Sequence, residues 1–576
     1  MVFTDNLPQK LVVRILEFCD WDAMIQLSLA SHTCKTYRRL VRGSRVFELH
    51  SELQSNGYQL SDNGSQRNEA GDVAKLLKEF RAFRDGKTPS TSTSPLLMFE
   101  LVGWLYLKLG KPQAQDSADP DMRLYELRQG YYAAALSTSY AQPSIVKLTD
   151  LHSGTSTKIS PGVQFSEFQI DPSQGLVVLV SIESHVTETS SIHLRSSLTG
   201  LPHASASQPD WTIRLPFHME RRSSGIFVEV MDELLAVKYV SFEKNVSNIL
   251  IWNWKSSVLL NRIECCGISC TFGFFTPSSL LVFQSINDSG VNMLVYNHIR
   301  SPSDLPERSL AEFEVSSYPI QTPGFEFGFP EFPEGASAYL LMRSEPVPAL
   351  GTTGPAAFVP APTSRIIQLS MSIIQSTGSK REIHDYRIFL SKQRLLKCMA
   401  AYDLDSVLPI RVPSEDWIEH STRWFSTSAV NPWICRTYGT RFIQTHPHVG
   451  DDDDQDQPLE YLSVLEFHEP TIRRMAELGC DAHLSMWSSG EMRQHVDWNS
   501  PDEVIEYFVN TLRKQSALAE EDAVFVDIID KTVPSYTPFN GKTLVTRLPY
   551  RIVIRKKPLT KHSGWMMDNN LIIGMP

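Results

Sequence analysis

The stretch Ile251-Trp252-Asn253-Trp254-Lys255-Ser256, with Leu259-Leu260 two residues beyond Ser257, decides the fold of this chain. Isoleucine and tryptophan side chains fit a pleated, half-buried surface, whereas the lysine and serine that follow them are typical of an exposed turn. The pattern predicts a strand over residues 249–254 that ends in a turn and is followed by another apolar run.

Similar short runs, rich in aliphatic and aromatic residues and separated by turn residues, extend in both directions from this stretch. Helix signals are nearly absent between residues 130 and 465. The runs lie at 131–137, 176–182, 226–230, 234–240, 280–284, 293–296 and 339–342, and again at 524–529 and 548–554.

The runs also show a spacing. Asp150-Leu151-His152-Ser153-Gly154 and Ser197-Leu198-Thr199-Gly200 both end in a turn glycine, and the two glycines are 46 residues apart. Together with the Trp-Asn-Trp-Lys stretch, these segments resemble WD-type blades, which recur every ~40–45 residues because four strands must stack radially to bury their faces. The resemblance implies an all-β propeller of roughly six to eight blades over residues 125–576. A two-sheet sandwich, the alternative, explains the strands but not the spacing.

The first 42 residues have a different, helical period. Leu11, Ile15 and Phe18 recur at helical spacing, and Val12 and Leu16 form a second apolar face on the same short helix. Two more short helices are predicted before residue 42. A domain this small usually needs a partner to be stable, so one apolar face is left either for another protein or for the rest of the chain.

The order of residues in this head resembles an F-box: a Leu-Pro pair, an Ile-Leu pair, apolar residues in the second helix and a Cys-Lys pair followed by an aromatic residue. In that family these positions dock on a Skp-type linker subunit that bridges to a cullin-RING ligase. Departures are Cys19, where the family favours leucine, and Tyr37, where tryptophan is common. The resemblance implies that the linker-binding residues are Leu7, Pro8, Leu11, Ile15, Leu16, Ile25, Leu27 and Cys34.

The sequence predicts a small all-α F-box head at 1–45, a helical linker region with low-complexity loops at 46–124, and the WD40-like propeller at 125–576. Within the linker, Val73, Leu76, Leu77 and Phe80 predict a helix. A helical insertion is predicted at about 470–522, with helices at 470–478 and 501–521, and the second helix has a capping box at Ser500. This order resembles F-box proteins of filamentous and mushroom-forming fungi.

Composition narrows the possible partners. The net charge of −11, from 54 Lys and Arg against 65 Asp and Glu, argues against nucleic acid, because phosphate binding needs a basic face. No run approaches the ~18 apolar residues of a membrane span, and no signal peptide is recognised, so we expect a cytoplasmic or nuclear protein without a membrane partner. The eight cysteines are expected to be reduced there, and Cys265, Cys266 and Cys270 are interpreted as buried strand thiols rather than a metal site.

Catalytic motifs are not recognised, and no cofactor or metal is expected. Asn540-Gly541-Lys542-Thr543 lacks the leading glycine of a phosphate-binding loop and predicts a hairpin turn instead. His446-Pro447-His448 has two possible metal ligands, but its proline and the nearby run of aspartates, Asp451 to Asp454, indicate a solvated loop.

The sequence therefore predicts a non-enzymatic substrate-recognition adaptor of an SCF-type ubiquitin ligase, whose head binds the Skp-type linker and whose propeller binds an unknown protein substrate. The alternative is a propeller scaffold for protein interactions, with the head packed on the propeller and no role in ubiquitination. A propeller enzyme is a more remote possibility.

Overall fold

The computed structural model of the chain describes 21 segments, and these give the fold. They are 45–69, 72–84, 98–99, 104–108, 121–137, 142–151, 153–182, 186–220, 225–286, 290–300, 312–333, 335–342, 357–377, 380–402, 409–427, 437–447, 459–477, 524–555, 559–560, 564–568 and 571–575. The predicted head at 1–45, except for its last residue Arg45, and the predicted helix at 501–521 lie outside them.

Three helices and a short strand follow the head: α1 (Arg45–Ser55), β1 (Tyr58–Leu60), α2 (Asp62–Glu69) and α3 (Val73–Arg84). The helix predicted from Val73, Leu76, Leu77 and Phe80 is confirmed, and all four side chains are buried. They pack against Leu49 and Leu53 of α1. Two further strands, β2 (Met98–Phe99) and β3 (Trp104–Lys108), lie in the same part of the chain.

Seven sheets of four strands or more make up most of the described chain. Sheet 1 contains β4 (Asp121–Arg128), β5 (Tyr131–Ser137), β6 (Ile145–Asp150) and β7 (Ser156–Ile159). Sheet 2 contains β8 (Glu167–Asp171), β9 (Leu176–Ser181), β10 (Val186–Ser196), β11 (Asp210–Glu220) and an outer β19 (Glu312–Glu314). Sheet 3 contains β12 (Phe227–Met231), β13 (Leu234–Ser241), β14 (Val246–Asn253) and β15 (Val258–Cys266).

The other four sheets carry the longer connections. Sheet 4 contains β16 (Cys270–Thr276), β17 (Ser279–Ile286), β18 (Gly290–Tyr296), β20 (Phe325–Gly328) and an outer β25 (Ile410–Val412). Sheet 5 contains β21 (Ala336–Met342), β23 (Ile366–Thr377), β24 (Lys380–Ser391) and β26 (Thr422–Thr427). Sheet 6 contains β27 (Thr437–Tyr438), β28 (Arg441–Pro447), β29 (Leu459–Glu466), β33 (Tyr550–Arg555) and an outer β30 (Val524–Ile529), with β34 (Leu559–Thr560) on β29. Sheet 7 contains β35 (Gly564–Asp568), β36 (Leu571–Met575), β3 and β2.

The sheets form a closed ring. Strand β4 contacts β8, β8 contacts β12, β12 contacts β16 and β16 contacts β21, so the first strands of sheets 1 to 5 follow one another. Strand β23 of sheet 5 contacts β27, β27 contacts β35, and β35 returns to β4. This is the radial arrangement of a β-propeller and not the two facing sheets of a sandwich. The described sheets number seven, within the predicted range of six to eight.

Sheet 7 combines two strands from the N-terminal part of the described chain, β2 and β3, with its last two strands, β35 and β36. Strand β35 pairs antiparallel with β36, β36 pairs in parallel with β3, and β3 pairs antiparallel with β2. Residues 98–108, which belong to the segment predicted as a helical linker, therefore supply two strands of the propeller.

The predicted repeat is confirmed in the structure. Gly154 and Gly200 both adopt left-handed backbone conformations, with φ of 71° and 73°, just after the third strands of sheets 1 and 2. Ser257, just after the third strand of sheet 3, has a left-handed φ of 60°, and Asn253 turns the chain there by accepting hydrogen bonds from the backbone N–H groups of Lys255 and Ser256. The spacing therefore reflects one turn repeated from sheet to sheet.

The core lies between neighbouring sheets. Along β13, Leu235 and Val237 face sheet 2, whereas Leu234 and Ala236 face sheet 4. Both faces of the strand are buried, which is why its sequence is an almost continuous apolar run. Removing the side chain of a fully buried residue such as Leu235 from water contributes roughly 1.5–3 kcal/mol.

Helices interrupt the later sheets, contrary to the expectation of almost none between residues 130 and 465. Helix α4 (Lys392–Met399) and helix α5 (Ser414–Ser421) connect β24 to β26. Helix α6 (Glu469–Glu477), which follows β29, confirms the helix predicted at 470–478. Three-residue 3₁₀ helices lie at Pro172–Gln174, Val315–Ser317 and Pro362–Ser364. Strand β22 (Phe358–Pro360) lies between β21 and β23, and β31 (Ser535–Phe539) with β32 (Lys542–Thr546) forms a separate hairpin.

Candidate functional site

The predicted linker-binding residues lie outside the described residues, so the structure does not test them. What it describes is the segment that follows the head and fastens onto the propeller. We call this segment, residues 45–84 together with the propeller residues they contact, the joint.

A mixed helix and strand contact forms the joint. Strand β1 pairs antiparallel with β22, so that Tyr58 lies opposite Pro360 and Leu60 lies opposite Phe358. Phe80 of α3 is fully buried, and its ring packs edge-on against Phe358 with the ring centroids 5.1 Å apart. Because backbone pairing and apolar packing act together, the segment is built into the propeller rather than tethered to it.

A close backbone approach completes the joint. Gly57 has φ of +76°, and a Cβ at this position would lie 2.7 Å from the His468 ring. Its carbonyl oxygen accepts a hydrogen bond of 2.7 Å from the N–H of Ala361. Nearby, Arg474 of α6 donates to the buried Asn56 side chain at 2.6 Å. Only glycine combines this conformation with this contact.

Buried charges lie near the joint in sheet 6. Glu466 is 3% exposed, and its Oε2 lies 2.5 Å from the Arg441 Nε and 4.0 Å from an Arg551 nitrogen. Burial alone raises the pKa of Glu466, but the two guanidinium charges outweigh that effect and lower it to about 2. The carboxylate is therefore ionised across the physiological range, and its pairing avoids the large penalty of an isolated buried charge.

The two ends of the propeller differ in their connections. In a four-stranded antiparallel sheet, the links from strand one to two and from three to four lie at one end, which we call the insertion end. This end carries β22, which lies between β21 and β23, the helices α4 and α5, which lie between β24 and β26, and α6, which follows β29. The opposite end, which we call the turn end, carries tight turns such as 242–245 and 267–269. The joint therefore belongs to the insertion end.

A cavity of about 150 Å³ lies among the first strands of sheets 1 to 4, where the ring surrounds its axis. Three carboxylic acids, Glu126, Glu167 and Glu229, line it, with Gln169 and Tyr125 beside them. The volume corresponds to about five water molecules and is well below the ~300–1,000 Å³ of a cofactor or drug-sized pocket.

Sheet 2 carries a Ser–His–Asp chain that sequence reasoning missed. The Ser181 Oγ lies 2.9 Å from the His193 Nε2, and the His193 Nδ1 lies 2.7 Å from an Asp210 oxygen. Arg195 donates to the same Asp210 oxygen at 2.6 Å. Burial raises the pKa of Asp210, but these hydrogen bonds outweigh it and leave the pKa lowered.

The exposed fractions of the Ser181 and Asp210 side chains argue against a catalytic role for this hydrogen-bonded Ser–His–Asp group. The Asp210 side chain is 47% exposed, whereas Ser181 is only 7% exposed. A serine nucleophile needs an open approach for substrate, and its carboxylate partner is normally the buried member. Here the serine is the buried member and the aspartate is the more exposed one. We therefore assign these hydrogen bonds a structural role, in which they link β9, β10 and β11 of sheet 2.

Other candidates from the sequence can be placed. The Asn540-Gly541 hairpin is confirmed: β31 and β32 pair across it, and both residues have positive φ. The interpretation of His446 as solvated is wrong, because the residue lies in β28, is 7% exposed and has its Nε2 3.2 Å from the Ser463 Oγ. His448 lies outside the described residues. Cys265 and Cys270 are buried as expected, but Cys266 is exposed.

Within the part of the chain that the structure describes, no three His, Cys, Asp or Glu side chains are placed to hold a metal ion. No helix of the described segments is long and apolar enough to cross a membrane.

No known family and no curated protein matches the sequence. Solved structures give weak similarities. The β-propeller domain of the Trilobed protease from Pyrococcus furiosus has 8% identity and a TM-score of 0.25, over 61% of this chain and 91% of that chain. The WD40 domain of SCAP from fission yeast has 8% identity and a TM-score of 0.27, over 61% and 82%. The protein lmo1340 from Listeria monocytogenes has 10% identity and a TM-score of 0.26, over 50% and 66%. At these scores the likeness carries no argument, and the propeller assignment rests on strand pairing and ring closure.

Proposed function

We propose that this chain is the substrate-recognition adaptor of an SCF-type cullin-RING ubiquitin ligase, and that it has no catalytic activity of its own. The observation that carries the proposal is the joint. An adaptor raises the effective concentration of substrate lysines near the active end of the ligase, which requires the two binding parts to be held in a fixed relation. The joint supplies such an attachment immediately after the residues that resemble an F-box.

We propose different roles for the two ends of the propeller. Because the insertion end carries the joint and the helices α4 to α6, we place the protein substrate on the turn end. Loops on a rigid scaffold are where recognition residues concentrate. Phe242 and Ile268, which are 47% and 39% exposed, lie on neighbouring turns there. The proposed setting is the cytoplasm or the nucleus.

Two observations support a binding role over an enzymatic one. The axial cavity of about 150 Å³ is smaller than the ~300–1,000 Å³ of most ligand pockets, and the serine of the Ser–His–Asp chain is buried. A protein-interaction scaffold without a ubiquitin role would share both features. The two functions therefore have to be distinguished by testing whether the head binds a Skp-type subunit.

The first prediction concerns linker binding by the head. Replacing Ile15 with aspartate removes an apolar side chain whose burial contributes roughly 1.5–3 kcal/mol and puts a charge in its place. We expect affinity for a Skp-type subunit to fall by about tenfold to a hundredfold or more. The measurement is co-purification of that subunit with the tagged full-length chain, followed by ubiquitination of a co-purified substrate with linker, cullin and RING subunits added.

Leu198→Asp provides the matched control, because Leu198 is an apolar residue that is already 78% exposed on the propeller. It should bind the linker subunit and support ubiquitination like the natural chain. If Ile15→Asp keeps full linker binding, or if the natural chain binds no Skp-type subunit, the adaptor function is excluded and the scaffold function takes its place.

A further inference from the structure

The outer strands of sheets 1 to 5 differ in whether the chain covers their edges. In sheets 2 and 4 the fourth strand is extended in parallel by a further strand: β19 pairs with β11, and β25 pairs with β20. In sheet 3 the Gln321 N–H donates to the Arg262 carbonyl oxygen of β15 at 2.8 Å. In sheet 5 the Trp424 N–H of β26 donates to the Thr546 Oγ1 of β32 at 3.2 Å. Elements from elsewhere in the chain therefore cover the edges of sheets 2 to 5.

Strand β7, the outer strand of sheet 1, uses only one side of its backbone for the sheet. Hydrogen-bonded and non-hydrogen-bonded residue pairs alternate along an antiparallel ladder. The β6–β7 ladder begins with a hydrogen-bonded pair, in which the Asp150 N–H donates to the Thr155 carbonyl oxygen at 2.9 Å. Every second residue after Thr155 therefore also bonds to β6, whereas the N–H and C=O groups of Ser156 and Lys158 point away from it.

These outward groups are open within the part of the chain that the structure describes. No described strand pairs with this side of β7, and no described backbone group outside β6 bonds to Ser156 or Lys158. Both residues are exposed, as is Thr157 between them. Unpaired edge groups of this kind are the template on which an extended peptide adds as a further strand.

The side chains at this edge carry an unbalanced positive charge. Lys158 lies directly opposite Lys147 of β6, so the two ammonium groups project from the same face of the sheet. Like charges in this position destabilise a sheet. Neither lysine forms an ion pair with a carboxylate of the described residues. A carboxylate on a strand laid along β7 would balance these charges.

The same charges distinguish two possible occupants of the edge. Pairing of β7 with β7 of a second copy would bring two more lysines to it, and lysine on edge strands is a common device against such pairing. An acidic strand has the opposite effect, because cross-strand pairs of opposite charge stabilise a sheet. The edge is therefore suited to an acidic segment and not to a copy of itself.

We propose that the edge of β7 binds an extended acidic segment of a partner protein by strand addition. Ser156 and Lys158 each supply one backbone donor and one acceptor, and carboxylates of the segment lie beside Lys147 and Lys158. Sheets 2 and 4 take a further outer strand from their own chain in the same manner. This surface lies on the rim of the ring, and the proposal does not depend on the adaptor function.

Hydrogen exchange of the full-length chain, read at single amides by mass spectrometry, tests whether the edge is open. The amides of Ser156 and Lys158 should exchange much faster than those of Thr157 and Ile159, which bond to β6. Slow exchange at Ser156 and Lys158 in the free protein would show that the chain itself or a second copy already covers the edge. That result would overturn the proposal.

The probe for binding is a blocked heptapeptide in which glutamate alternates with valine. We expect it to slow exchange at Ser156 and Lys158. A peptide with lysine in place of glutamate, and a glutamate peptide whose backbone nitrogens are all methylated, should have no such effect. Equal protection by the lysine peptide would exclude selection by charge, and equal protection by the methylated peptide would exclude strand addition. No protection by the glutamate peptide at millimolar concentration would exclude both.

Two substitutions separate the charge of the edge from its backbone. Lys158→Glu replaces an attraction by a repulsion, so peptide binding should weaken by about twofold to thirtyfold. Because it places an acid opposite Lys147, it should not lower the thermal midpoint. Ser156→Pro removes an outward donor at the first residue of the strand, where proline is tolerated, and should also weaken binding.

Lys542→Glu is the matched control, because Lys542 is an exposed lysine of another strand, β32. It should bind the glutamate peptide like the natural chain. If Lys158→Glu binds the peptide as tightly as Lys542→Glu does, the edge of β7 is not the binding surface. This comparison holds even if Ser156→Pro fails to fold.

Discussion

The His468 side chain contributes both to the start of helix α6 and to the packing of the joint. It precedes α6, and its Nδ1 lies 2.8 Å from the Thr471 hydroxyl and 3.4 Å from the Thr471 N–H, in the manner of a helix N-cap. Its other edge fills the space that a side chain on Gly57 would need. An imidazole that accepts hydrogen bonds at Nδ1 and is 5% exposed is held in its neutral form.

The second prediction follows from this neutral state. Burial, helped by Arg474, Arg441 and Arg551 and opposed by Glu466, lowers the pKa of His468 to about 4 from 6.5. Between pH 6.5 and 4 the unfolded state therefore binds a proton that the folded state does not, and stability falls as the pH falls. One proton corresponds to at most ~1.4 kcal/mol per pH unit in the free energy of unfolding.

Urea unfolding of the natural chain and of His468→Asn between pH 7 and 5 measures this effect. Asparagine keeps an acceptor for Thr471 but does not titrate, so its free energy of unfolding should decline less steeply over that range. Glu466 remains ionised in the folded state there, because its pKa is about 2. Equal slopes for the two chains would mean that folding does not lower the pKa of His468.

At the same residue scale, the sequence is informative where a structure is local. The hairpin at Asn540-Gly541 was predictable because two adjacent residues that tolerate positive φ are sufficient to specify it. The Ser181–His193–Asp210 chain was not predictable, since its members meet only through strand register. His446 was misjudged because the nearby aspartates and the proline after it hid a strand whose other members are apolar.

For strands and helices, too, the sequence is informative where the structure depends on local residues. Each of the ten predicted apolar runs lies within a few residues of a strand of the structure, because burial on both faces leaves little room for polar positions. The other strands, such as β10 and β24, contain more polar residues and were missed. Helices α4 and α5 were missed because each has only eight residues, too few for a clear period. Their ends are set by single contacts, such as the Ser391 hydroxyl oxygen that accepts from the Arg394 N–H.

The third prediction concerns the insertion after β29, which contains one helix that belongs to the packed body. Ile472 of α6 is 2% exposed, and Arg474 bonds to Asn56. Replacing residues 478–522 with a flexible linker should leave the thermal midpoint nearly unchanged, since loop length has a small effect on closure entropy. Replacing 469–522 should lower stability by at least the roughly 1.5–3 kcal/mol of Ile472 burial.

Circular dichroism at increasing temperature distinguishes the two deletions. Both chains should keep the β-sheet spectrum of the full-length protein at low temperature, and only the larger deletion should unfold earlier. Loss of cooperative unfolding in the smaller deletion would show that residues 478–522 are part of the core.

Across the whole molecule, ring closure is the feature that the sequence did not reveal. Strands near both ends of the described chain share sheet 7, although more than 450 residues separate β3 from β35. No local pattern indicates such a pairing, and 98–108 was assigned to the linker for that reason. The pairing of β3 with β36 is therefore a second contact, besides that of β1 with β22, between the N-terminal part of the described chain and the rest of the protein.

The fourth prediction tests this closure. Tyr106 lies inside β3 and opposite Ile572 of β36 in register, while β2 pairs with the preceding residues Trp104 and Leu105. Proline there removes a ladder donor and places its ring against a neighbouring strand, at a cost of ~3 kcal/mol or more if the strand is central. Tyr106→Pro should therefore lower the thermal midpoint of the full-length chain by several degrees and should expose sheet 7 to proteolysis.

Lys158→Pro is the comparison, because β7 is the outermost strand of sheet 1 and pairs only with β6 among the described strands. Proline is tolerated better at a sheet edge than in its interior, so this variant should lose less stability than Tyr106→Pro. Differential scanning calorimetry gives both midpoints, and hydrogen exchange at 571–575 reports locally on β36. If Tyr106→Pro is no worse than Lys158→Pro and leaves exchange in β36 unchanged, β3 does not hold the ring closed, and the last sheet is stabilised by its two C-terminal strands alone.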